Sequence, residues 1–123
     1  MGKFVISATK NDGFKFNLKA TNGQVIATSQ VYKSLDTCKS GVNSVMTNAP
    51  IAALEDQTVE GFETAKHPKF ELYADKAGEF RFRLKAKNGE IIATGEGYTT
   101  KKACEAGIES VRKNSADAQI VEE

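Results

Sequence analysis

Apolar and polar residues alternate with period two in two stretches of this chain. Phe14, Phe16 and Leu18 point one way, while Lys15, Asn17 and Lys19 point the other. The pattern returns with Phe80, Phe82 and Leu84 set against Arg81, Arg83 and Lys85. Strict alternation marks a half-buried strand, with one face on a core and one in water, as an antiparallel sheet allows. A shorter alternation precedes each, placing Phe4, Ile6 and Ala8, and likewise Phe70, Leu72 and Ala74, on one face. Turns are expected at Asn11-Asp12-Gly13 and at Ala77-Gly78-Glu79. Asn22-Gly23 and Asn88-Gly89 then predict hairpins closed by type I′ turns, because Asn-Gly tolerates positive φ at both central residues. Third strands are expected over residues 24–28 and 90–94. Those runs are too uniformly apolar to assign Ile26 and Ile92 to a face.

The period then changes from two to that of a helix. Leu35, Cys38, Val42, Val45 and Met46 form one apolar stripe, and Cys104, Ile108 and Val111 form its counterpart. Ser34 and Thr100 are suited to cap the first turns, their hydroxyls accepting free amide N–H groups. Asn48 and Asn114 stand where a left-handed residue commonly ends a helix. Gly41 and Gly107 lie mid-helix, where glycine costs on the order of 0.5–1 kcal/mol against alanine. Their presence in both helices predicts close approach of each helix to the sheet or to its twin. Short fourth strands are expected over residues 52–56 and 118–121.

These elements come twice, at one constant offset and without a gap. Roughly 20 of about 50 paired positions are identical, Tyr32/Tyr98, Cys38/Cys104 and Gly41/Gly107 among them. Self-similarity of this kind means two copies of one supersecondary unit. The expected division is a first repeat over 3–58, a linker over 59–68 and a second repeat over 69–123, all within a single pseudo-symmetric domain spanning residues 1–123. One copy, at about 55 residues, is near the size at which independent folding becomes marginal, so the halves are expected to bury their apolar faces together.

The repeated core Phe-x-Phe-x-Leu-Lys-Ala-x-Asn-Gly-x-x-Ile-Ala-Thr occupies residues 14–28 and 80–94. A tyrosine, a capped helix and Gly-Val/Ile-x-Ser-Val-x-x-Asn follow it each time. In these motifs, which cover nearly the whole chain, the sequence resembles the YegP-like proteins, a bacterial group of unknown function. The resemblance implies an α+β fold: two tandem βββα-β repeats forming one antiparallel sheet, with exchanged C-terminal strands and two helices on one face. The unit is implied to occur either as a tandem pair or as two single-repeat subunits. No catalytic residue is carried over, because the family has no established set. Here the first copy departs from the second in having Ser29 and Val31 where the second has Gly95 and Gly97.

Composition narrows the function classes. Seventeen basic and sixteen acidic residues leave a net charge of +1, which demands no polyanionic partner. No apolar run approaches the roughly 18 residues of a membrane helix, and Ile6 stands where a myristoylation pattern needs Ser or Thr. With no secretory signature either, a cytoplasmic, membrane-free protein is expected. The two cysteines, at equivalent positions, are expected to be buried helix residues. A disulfide between them is not favoured in a reducing compartment.

Candidate chemistry is sparse. His67, the one histidine, stands in the linker with no second histidine or Cys-x-x-Cys to complete a metal site. Gly95-Glu96-Gly97-Tyr98 lacks the spacing of a phosphate loop. Tyr32 and Tyr98 are expected to pack at the helix entrances. The feature with functional content is a basic face made by Lys15, Lys19, Arg81, Arg83, Lys85 and Lys87, opposite the helices. Glu71, Asp75 and Glu79 are interleaved with it, and the phenylalanines that would stack bases point inward. The expectation is therefore a monomeric, non-enzymatic binding or interaction module with no cofactor and no metal. The alternative is a weak, sequence-tolerant nucleic-acid binder acting through the basic face.

Overall fold

The computed structural model describes residues 2–123. Each copy contributes three strands, a helix and a fourth strand, in that order. In the first copy these are β1 (Lys3–Ala8), β2 (Phe14–Lys19), β3 (Val25–Thr28), α1 (Leu35–Asn48) and β4 (Ala53–Asp56). In the second they are β5 (Lys69–Ala74), β6 (Phe80–Lys85), β7 (Ile91–Thr94), α2 (Lys101–Ser115) and β8 (Gln119–Glu122). All the described strands join one eight-stranded sheet in the order β4-β5-β6-β7-β3-β2-β1-β8. The C-terminal strands are exchanged: β4 lies beside β5 of the other copy, and β8 beside β1. Both exchanged strands run parallel to their neighbours, so the sheet is antiparallel in its middle and parallel at its two margins. That is the one departure from the fully antiparallel sheet implied by the resemblance.

The halves meet through β3 and β7, whose register is the single pair Thr28↔Thr94, with the two hydroxyl oxygens 3.4 Å apart. One such bridge is a thin seam. The helices reinforce it, since α1 packs on β7 as well as β2, and α2 packs on β2 and β3 as well as β5 and β6. One apolar cluster results, with Phe4, Phe16, Phe70 and Phe82 sealed from water beneath Cys38, Val42, Cys104 and Ile108. Fully burying side chains of this size contributes roughly 1.5–3 kcal/mol each, and the buried cluster here draws on both copies.

Several local expectations are corrected. In the Asn-Gly hairpins only the glycines, Gly23 (φ 86) and Gly89 (φ 85), take positive φ. Gly23 N–H bonds to Ala20 C=O and Ala20 N–H to Gln24 C=O, which is a type I turn followed by a glycine bulge rather than type I′. A second irregularity, between Leu18 and Lys19 and again between Leu84 and Lys85, settles the face of Ile26 and Ile92. The bulge breaks the alternation, so Ile26 and Ala27 are both buried against the core, as are Ile92 and Ala93.

Ser34 and Thr100 cap α1 and α2 through their hydroxyls, and Ser34 and Thr37 form a reciprocal capping box. Asn48 does not end its helix in a left-handed conformation. It is right-handed (φ −90), and its amide donates to Ser44 C=O, as Asn114 does to Ser110 C=O. Gly41 and Gly107 are crowded chiefly by tyrosine, with the Phe16 ring of β2 also 3.2 Å from a Cβ on Gly41. A Cβ on Gly41 would lie 2.4 Å from the Tyr32 hydroxyl, and one on Gly107 2.5 Å from that of Tyr98. Each tyrosine also stacks on the phenylalanine beneath it, Tyr32 on Phe16 and Tyr98 on Phe82.

Candidate functional site

The sheet face opposite the helices differs between the two copies. On copy two, Lys69 Nζ lies 2.8 Å from Glu55 Oε1 and 3.2 Å from Glu71 Oε2. Arg83 Nε donates to Glu71 Oε1, and Lys85 Nζ stands 3.4 Å from Glu71 Oε2. Glu55, Lys69 and Glu71 are each almost wholly excluded from water. Glu55 belongs to the exchanged strand β4 and Glu71 to β5, which stand side by side in register. The segment between the copies closes over them: Ala65 N–H donates to Glu55 Oε1 at 2.8 Å, and Gln57 Nε2 to Glu55 Oε2 at 2.6 Å.

Burial pushes the Glu55 carboxyl up, but the donors from Lys69, Gln57 and Ala65 outweigh it and hold the pKa at about 2. Burial likewise raises Glu71, and the donors from Arg83 and Lys69 bring it below the usual carboxylate range. Lys69 is raised, chiefly by its hydrogen bond to Glu55. Every buried charge in this cluster therefore has an opposite charge in contact with it.

Of the six residues of the expected basic face, three lie within or beside this network. Arg83 and Lys85 share Glu71, and Arg81 pairs with Asp75 (2.6 Å) and with Glu79 (3.8 Å). Arg83 also sits 4.7 Å above the Tyr73 ring. Lys15 and Lys19 stand on the outer face of copy one, and Lys87 in the exposed turn after β6. These three have no ion-pair partner among the described residues. The six do not merge into one band, because β7 and β3 stand between β6 and β2 in the sheet, and acids on β5 and the following turn pair the three cations of β6. A further lysine was missed in the sequence: Lys3 lies directly across from Lys19 in register. Its signal is the equivalence with Lys69, whose cross-strand partner is Lys85.

The other candidates have ordinary surroundings. Cys38 and Cys104 are free thiols buried on the helices' inner faces, and burial pushes Cys104 up to about 11. A thiol so far from ionisation is a poor nucleophile. His67 lies by the β6–β7 turn, where a Cβ on Gly89 would come 3.6 Å from its Nε2. A Cβ on Gly95 would strike the buried Phe82 ring at 2.2 Å, and one on Gly97 would meet the end of the Glu79 side chain at 2.5 Å, which would have to swing aside. At the seam, a cleft of about 190 Å³ lies between α1 and the β6–β7 hairpin, lined by Tyr32, Thr37, Ser44, Asn88 and Glu90. Thr37, Ser44 and Asn88 are engaged in internal hydrogen bonds there. No group of three potential metal ligands occurs among the described residues, and no helix is long and apolar enough to cross a membrane.

A duplicated βββα-β unit with exchanged strands defines a class of protein, and that class is matched in sequence as well as shape. Residues 9–56 and 75–122 each match the Domain of unknown function DUF1508, so the chain belongs to that family. Its relatives include a UPF0339 protein from the ptx operon 5′ region of Stutzerimonas stutzeri, 37% identical over 98% of this chain and 96% of the relative. The UPF0339 protein YegP of Escherichia coli is 32% identical over 97% of this chain and 94% of the relative. The solution structure of YegP, a protein of unknown function, superposes with a TM-score of 0.82 at 31% identity, covering 99% of this chain and 92% of that one. A UPF0339 protein of Treponema denticola matches at 65% identity over 54 residues, 44% of this chain but 93% of the relative, which is therefore about one copy long.

Proposed function

We propose that this chain is a non-enzymatic binding or interaction module, acting as a monomer because duplication supplies internally what subunit pairing supplies elsewhere. The observation that carries the reading is the closure of its reactive groups. Glu55 and Glu71, the buried carboxylates, are held ionised by Lys69 and Arg83, so neither is poised near neutral pH for proton transfer. Both thiols are buried and, with pKa values raised, unready to attack. What the fold offers instead is surface on a stiff sheet, to which partners of stated chemistry can be matched.

The test is affinity capture from a native lysate alongside a metabolite-consumption screen on the purified protein. A partner retained in stoichiometric amount is expected. Time- and protein-dependent loss of any small molecule would replace the reading with an enzymatic one. Anisotropy with short single-stranded RNA and DNA is expected to show no binding at micromolar protein. A signal that collapses with salt would move the reading to the nucleic-acid alternative. Sedimentation at micromolar concentration is expected to give the mass of one chain.

A further inference from the structure

Lys3 and Lys69 occupy the same place in the two copies, and so do Lys19 and Lys85. Each copy sets two lysines directly opposite on neighbouring strands, Lys3↔Lys19 and Lys69↔Lys85. Directly opposed side chains have Cβ atoms about 4.5–5.5 Å apart, and like charges at that spacing destabilise a sheet. Copy two relieves the repulsion from within, since Glu71 contacts both lysines and Glu55 contacts Lys69. In copy one the places of those two acids are held by Val5 and Val121, in register with each other on β1 and β8. No acidic residue stands on the outer positions of β1, β2 or β3; Glu123, whose N–H bonds to Ile6 C=O, continues β8 on this face one strand from Lys15, while Lys3, Lys15 and Lys19 have no ion pair among the described residues. The result is a shallow apolar floor, with Val5 buried and Val121 half-buried, flanked by Lys3 and Lys19 with no acid beside either.

We propose that this outer face of copy one is a docking surface for an extended acidic protein segment. Its carboxylates take the place between Lys3 and Lys19 that Glu71 takes between Lys69 and Lys85, while its apolar side chains lie on Val5 and Val121. The chain carries its own template for the geometry: on copy two, the segment between the repeats lies over the equivalent face and donates Ala65 N–H into the charged cluster. An acidic peptide suits this face better than nucleic acid. The anions that fill the equivalent place are carboxylates under a peptide, and no aromatic side chain is offered there for base stacking.

The inference rests on the binding-module reading and deepens it. The probe is an octapeptide of alternating Glu and Val, titrated into the ¹⁵N-labelled full chain. A Gln/Val octapeptide and a single-stranded oligonucleotide serve as comparison arms. Amide shifts are expected at Lys3, Val5, Asn17, Lys19 and Val121 with the acidic peptide, fading as salt rises and absent with the Gln/Val peptide. Lys3→Gln with Lys19→Gln, both on the water-facing side, is expected to weaken binding about tenfold, the sum of two exposed charge contacts. Val5→Glu with Val121→Glu installs the acids of copy two and is expected to abolish binding. Should that variant fail to fold, the lysine pair still decides. The proposal is overturned if millimolar acidic peptide moves none of these amides, if the lysine variant binds as well as the parent, or if the oligonucleotide binds the same residues more tightly. A lysate partner captured equally by parent and lysine variant would also retire this surface, while leaving the module reading intact.

Discussion

The two outer faces of the sheet share one backbone and differ in how they handle charge. Copy two buries Glu55, Lys69 and Glu71 under the segment joining the repeats, while copy one leaves Lys3, Lys15 and Lys19 over a pair of valines. The hidden faces of the two copies, by contrast, are nearly interchangeable: Phe4/Phe70, Phe16/Phe82, Leu18/Leu84 and Cys38/Cys104 are the same residues with the same burial. Packing tolerates little change of shape, so a duplicated core stays duplicated. The solvent side is free to diverge, and that is where any function particular to one copy would lie.

The comparison is broken most severely by removing the acid that joins the copy-two cations. Glu71→Val, which copies Val5, is expected to cost about 3 kcal/mol by leaving Lys69, Arg83 and Lys85 without their shared counter-charge. The cover is a single layer of chain, hence the low end of the range for a buried pair. Thermal melting should fall by about 10 °C, whereas Glu55→Val, Lys69→Met and Glu71→Val together should recover most of the loss. A melt unchanged by Glu71→Val would mean the network contributes nothing.

Next in size, Gly41→Leu is expected to cost about 2 kcal/mol as it displaces Tyr32 from its seat over Phe16. Gly107→Leu should cost about the same, since a Cβ there would lie 2.5 Å from the Tyr98 hydroxyl. A melt unchanged by either substitution would contradict the crowding.

A smaller effect tests a compensated exchange. Gly13 faces Val31 in copy one, while Glu79 faces Gly97 in copy two. Gly97→Val alone is expected to lose about 1 kcal/mol, and adding Glu79→Gly should restore it, a coupling that a double-mutant cycle would measure.

Acid should act on copy two first. Glu55 has its pKa lowered from 4.5 to about 2 on folding, so its contribution to stability is full above pH 4.5 and is lost as pH falls toward 2. Amide exchange at Ala65 and along β4 is expected to quicken in that window before any change along β8, whose Val121 does not titrate. The gentlest test is Asp12→Gly. Asp12 holds φ 61 where copy two has Gly78 (φ 86), so relieving it should gain about 0.5 kcal/mol, read as a small rise in melting temperature.

The strands, hairpins and helix caps were legible because they are short-range: Phe14, Phe16 and Leu18 alternate, and Ser34 stands one residue before its helix. The errors were also local, but subtler. Asn-Gly serves both type I′ turns and bulged type I turns, and only the hydrogen bond from Gly23 to Ala20 distinguishes them. Ile26 resisted assignment because a bulge breaks the period on which assignment depends. Of the basic face, alternation placed Lys15, Lys19, Arg81, Arg83 and Lys85 on one side of the sheet. It did not show which of them acids would claim, and it passed over Lys3, whose importance comes from the strand opposite.

By itself the sequence determined that one unit occurs twice, which residues of its first two strands and its helix face the core, and where each helix begins. All of these follow from side-chain period and from hydrogen bonds spanning a few residues. The tertiary structure alone decided that Glu55 from β4 would meet Lys69 and Glu71 from β5, that Tyr32 would seat on Gly41, and that Lys3 and Lys19 would be left facing each other without an acid between them. Those outcomes depend on segments far apart in the chain being brought within a few ångströms, and no local pattern encodes that distance.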